Sequence, residues 1–70
     1  MKRLEALRKD AGLSRTQLSY VARVYGTLVG QIELGRLTPR PDSVVLVRLG
    51  EALGWRGDPS ELLDVVGDDA

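Results

Sequence analysis

Eight of the ten basic residues fall within the first forty positions: Lys2, Arg3, Arg8, Lys9, Arg15, Arg23, Arg36 and Arg40. Only Glu5, Asp10 and Glu33 oppose them there. Residues 41–70 reverse the balance, with Arg48 and Arg56 against Asp42, Glu51, Asp58, Glu61, Asp64, Asp68 and Asp69. A formal charge of zero therefore conceals a basic half and an acidic half, a pattern that suits a polyanion bound at the basic end. Catalytic chemistry is poorly provided for. The chain has no cysteine and no histidine, which removes the thiolate, the usual general base and the commonest metal ligand. The acidic residues show no clustered metal-ligand spacing. The sequence thus predicts a protein that is not an enzyme and carries no cofactor or metal.

Seventy residues make one domain, expected to span 1–67 with residues 68–70 as a frayed acidic tail. A core of this size supplies only a few kcal/mol net, so oligomerisation is one route to added stability. The longest apolar run, Val44-Val45-Leu46-Val47, is far too short to span a membrane, and "MKRLEALRK" lacks a signal-peptide core. A soluble cytoplasmic protein without membrane contact is the default expectation.

The elements that must position these charges are short helices with tight connections. The first is expected over about 2–10, with Leu4 and Leu7 on one face and Gly12 just past its end. Ser14-Arg15-Thr16-Gln17 has the form of a capping box, and Leu18, Val21 and Ala22 give the second helix an apolar face. A third is expected over about 26–34 on Val29 and Ile32, stopped by Gly35. "RLTPRPD" (36–42) reads as a loop. Asp42 or Ser43 caps a fourth helix, about 43–53, with Val45 or Leu46, Leu49, Ala52 and Leu53 toward the core. Asp58-Pro59-Ser60-Glu61 opens a fifth, ending near Val66. Nothing reads as a strand, and the fold class is all-α.

"VYGTLVGQIELG" (24–35) is bare for a helix in a basic half: it has three glycines and no cation. Its place in the chain suggests a role. A short connection between the second and third helices is that of a helix-turn-helix unit. The run "LRKDAGLSRTQLSYVARVYGTLVGQIELGRLTPRP" resembles the helix-turn-helix domain of the phage repressor and Cro type (XRE-like). The resemblance is carried by Leu7, Gly12-Leu13-Ser14, Leu18, Val24, Val29, Ile32-Glu33, Gly35, Pro39 and "EALG" (51–54). It covers roughly residues 4–63 and implies a compact five-helix, lambda-repressor-like DNA-binding domain. There are departures. Arg15 and Ser19 stand where the family usually has Gln and a small residue, and Arg23 stands at its turn glycine. Arg23 either takes a left-handed conformation at a cost of about 1 kcal/mol or lets the second helix run on.

The resemblance implies roles by position. The third helix would lie in the major groove, with Tyr25, Gly26, Thr27, Leu28 and Gln31 facing bases. Gln31 alone is able to contact a base bidentately, favouring adenine; Leu28 would pack on a thymine methyl. Arg15, Arg36 and Arg40 would meet phosphates, with Lys2 and Arg3 at the flank. Arg8 and Glu33 would form a structural ion pair clasping the third helix to the first.

The fourth helix carries more apolar residues than a small core accommodates. Val44, Val47, Trp55, Leu62 and Val66 therefore form a candidate dimer interface, the alternative for Trp55 being that it plugs the base of its own domain. Double-stranded DNA and a second copy are the expected partners. A rival reading keeps the fold but gives the third helix to a protein partner, as in an adaptor or anti-repressor. Tyr25, Leu28, Leu34 and Leu37 would then form a docking surface, or else be buried.

Overall fold

A computed structural model of the chain describes residues 1–66. The expected acidic tail, 68–70, lies outside the described residues. Four α-helices follow in order: α1 (Arg3–Asp10), α2 (Arg15–Val21), α3 (Leu28–Glu33) and α4 (Val44–Leu53). The fifth element is a 3₁₀ turn, Pro59–Leu63, rather than the longer helix the sequence suggests. Asp58 caps it by accepting from the Ser60 N–H, and Pro59 presets its first turn. Propagation stops at Asp64, whose extended backbone turns the chain toward the N-terminus. There the Arg3 N–H donates to the Asp64 carbonyl at 2.7 Å, and the Val66 N–H donates to the Met1 carbonyl at 2.8 Å. These bonds flank an isolated antiparallel bridge between Lys2 and Val65.

Side chains set the helix starts. Ser14 and Gln17 complete a reciprocal capping box at α2, and Ser43 accepts from the Val45 N–H at α4. The exits share one device. After α2 the Arg23 N–H bonds the Tyr20 carbonyl and the Val24 N–H bonds the Ser19 carbonyl, with Arg23 in the left-handed region at φ 61°. The turn keeps the glycine-type shape despite its arginine. Arg48 Nη1 donates to the Arg23 carbonyl at 3.3 Å and braces it.

Leu4, Leu18, Ala22, Leu28, Val29, Ile32, Leu46, Leu49 and Leu62 form the core. Two expectations are corrected here. Leu28 is 3% exposed: it lies one helical turn before Ile32 and shares its inward face, so it cannot reach a base. Leu62 is fully buried where the 3₁₀ turn packs on α1 and α4, so it is a core residue of the single chain and not a free dimer contact. Val21 of α2 also departs from expectation, being 57% exposed while Leu18 and Ala22 point inward. Its place on the buried side is taken by Ser19. That hydroxyl donates to the Arg15 carbonyl and accepts from the Val29 N–H, tying α2 to α3.

Candidate nucleic-acid interface

α3 is short because Gly26 and Thr27 remain in the turn before it, where the Leu28 N–H donates to the Tyr25 carbonyl. With Leu28, Val29 and Ile32 facing inward, the opposite side presents Thr27, Gly30, Gln31 and Leu34, spaced i, i+3, i+4 and i+7. Gln31 is half-buried and held at both ends. The Tyr25 hydroxyl donates to its Oε1, and its Nε2 donates to Thr27 Oγ1, each at 3.4 Å. Among the described residues one amide N–H and one lone pair on the oxygen have no protein partner, the pair of functions needed for adenine.

Positive charge reaches this face from other elements. Arg15, from the start of α2, lies across α3 at Gly30, where an added Cβ would sit 3.4 Å from Arg15 Cδ. Its Nε donates to Glu33 Oε1 at 2.9 Å. Arg8 binds the same carboxylate bidentately, Nε to Oε2 at 2.7 Å and Nη2 to Oε1 at 3.1 Å, while its Nη1 donates to the Leu13 carbonyl. The Glu33 side chain is fully buried between two arginines, which supply the counter-charge that such burial requires. Arg15, Thr16, Thr27, Gln31 and Arg36 line one shallow concavity floored by Gly30.

Gly26 lines the same concavity, and Tyr25, 56% exposed in the turn, adjoins it through its bond to Gln31. The other candidates disperse. Arg40 is exposed in the loop beyond Arg36. Arg3 is drawn away from this face: its guanidinium stacks over Trp55 at 5.0 Å and pairs with Asp64 at 3.6 Å. Val44 and Val47 point outward from α4, whereas Trp55 and Val66 are half-buried. The Trp55 indole N–H donates to the Asp58 carbonyl, and its ring packs against the core. Leu34, 55% exposed on the outer face of α3, was not among the base-facing residues expected from the sequence. The i+3 and i+7 spacing from Thr27 would have found both it and Gly30.

Two helices packed through Ser19, with the second presenting an open polar face, form a helix-turn-helix unit. The sequence profile of the helix-turn-helix domain family matches residues 2–63. The chain belongs to that family. Membership rests on nearly the whole described chain and agrees with the resemblance carried by "GLS" and "IELG". This helix-turn-helix domain matches no curated protein and no solved structure. No helix among the described residues is long and apolar enough to cross a membrane, and no acidic group among them is arranged to hold a metal ion.

Proposed function

We propose that this helix-turn-helix domain is a small sequence-specific DNA-binding transcriptional regulator of the repressor and Cro type. It acts without a cofactor and without catalysis, in the cytoplasm. The observation that carries this reading is the outer face of α3: it is polar at Thr27 and Gln31, crossed by Arg15 at Gly30 and flanked by Arg36. Placed in a major groove, α3 sets Gln31 against an adenine edge, while Thr27 meets a base or phosphate. Tyr25 and Gly26 border the groove, Gly26 leaving space for close backbone approach. Arg36 and Arg40 supply the charge that holds register on the backbone.

A single short α3 specifies only a few base pairs, which favours a homodimer on two half-sites about 34 Å apart or a multiple of that. The exposed Val44 and Val47 of α4 are the apolar surface available for it, with Trp55 and Val66 at its margin. Titration of a labelled mixed-sequence duplex at about 50 and 200 mM salt tests the reading. Affinity that collapses over that interval supports a cationic DNA-binding face. Absence of binding at low salt by the folded protein overturns it. The exposed Tyr25 and Leu34 would then belong to a protein-docking surface, as in an adaptor or anti-repressor.

A further inference from the structure

The geometry points to Arg15 as a base-reading residue that recognises a guanine within the half-site, an inference that rests on the DNA-binding reading above. Three features separate Arg15 from an arginine that merely meets phosphate. Its stem crosses the outer face of α3 at Gly30, the one position on that face without a side chain, and lines the same concavity as Gln31 and Thr27. Its orientation is fixed. Nε is bonded to Glu33 Oε1, and that carboxylate is immobilised in turn by the two bonds from Arg8. Among the described residues its two Nη groups have no protein partner, so the end of the fork that matches guanine O6 and N7 is left open.

Charge argues the same way. One carboxylate shared by two arginines leaves a single net positive charge on the trio, so Arg15 is a weaker point charge than Arg36 or Arg40, neither of which is paired among the described residues. A guanidinium that is half neutralised but firmly aimed suits directional recognition better than backbone attraction. The bareness of α3 fits this arrangement: at Gly30 the arginine stem from α2, and no side chain of α3 itself, lies on the face.

The test is selection from a randomised duplex library by the wild-type protein and by Arg15→Lys and Arg15→Ala. Titration follows on duplexes carrying each of the four base pairs at every selected position. The wild type is expected to prefer guanine at one position that both variants read indifferently, a loss of about 5- to 150-fold in discrimination there with the other positions unchanged. Arg15→Lys keeps the charge but not the planar fork, and circular dichroism verifies that it is folded. If both variants weaken all sequences alike and keep every preference, Arg15 is a phosphate contact: the inference fails while the DNA-binding reading stands. A folded wild type that selects no duplex overturns both.

Discussion

Arg15 donates through Nε to Oε1 of Glu33 across 2.9 Å, so that a carboxylate with no solvent exposure joins the first residue of α2 to the last of α3. The two arginines on this carboxylate are not equivalent. Arg8 is 8% exposed and has no other acidic partner among the described residues, whereas the Arg15 side chain is 43% exposed.

Glu33→Ala leaves Arg8 as a buried unpaired charge and is expected to cost about 3–5 kcal/mol. That is comparable to the whole net stability of so small a domain. Arg15→Ala removes a half-exposed partner and is expected to cost about 1 kcal/mol or less. Urea denaturation followed by circular dichroism compares the two; equal losses would mean that Arg8 does not depend on Glu33.

Gly57→Ala should destabilise for a steric reason. An added Cβ would lie 2.6 Å from Glu61 Oε1 and 2.7 Å from Trp55 Cζ2. The ring cannot swing aside freely, because its N–H is bonded to the Asp58 carbonyl and Arg3 stacks on it. A loss of about 1–3 kcal/mol is expected, with altered tryptophan fluorescence in the folded state. Unchanged fluorescence and stability would show that the indole is loosely held.

Arg23→Gly relieves a left-handed arginine and should stabilise by about 1 kcal/mol. For a domain of this size that corresponds to a rise of about 4–8 °C in Tm. The brace from Arg48 survives because it reaches a backbone carbonyl. DNA affinity should not change, since Arg23 lies at the opposite end of α2 from Arg15. A lower Tm would mean that the arginine side chain itself supports the turn.

Acid should weaken the fold through two carboxylates. The Ser60 backbone N–H, then its hydroxyl, holds the Asp58 carboxyl below its ordinary value. The Lys9 hydrogen bond holds Glu5 below its own, against a smaller opposing effect of burial. Both are depressed in the folded state, so their stabilisation is complete above the ordinary carboxylate range and is lost as pH falls through the folded values. Stability is expected to be level between about pH 6 and 5 and to decline below about pH 4. Asp58→Asn should flatten part of that decline; an identical pH profile for the variant would remove Asp58 from the account.

On DNA, Gln31→Ala is expected to abolish discrimination at one base pair, by about 1–3 kcal/mol. Arg36→Ala and Arg40→Ala should instead weaken all sequences and lower the salt slope by about one each. Uniform weakening by Gln31→Ala would show that it reads nothing.

Much of this was legible in local signals. Ser14 with Gln17, Ser43 and Asp58 each cap a helix start that the sequence marks, and α1, α3 and α4 end at Gly12, Gly35 and Gly54. What the sequence obscured is non-local. The final helix shrinks to a 3₁₀ turn because Asp64 is recruited by the Arg3 backbone from the other end of the chain. That recruitment also removes Arg3 from any DNA-facing role. Position within the resemblance puts Leu28 outward, whereas its spacing to Ile32 places it inward. The site divided in the same way. Gln31 and the cations could be named from residue type, but Arg15 lying over Gly30 to reach Glu33 depends on how α2 crosses α3, which no spacing along one helix reveals.

The most direct measurement is backbone amide NMR of the labelled protein titrated with a selected duplex. The expected shifts concentrate at Arg15, Thr16, Thr27, Gly30, Gln31, Leu34 and Arg36, with Trp55 and the 3₁₀ turn little changed. Shifts that bypass α3 and gather elsewhere, or a spectrum unmoved by DNA, would contradict the assignment of this face to nucleic acid.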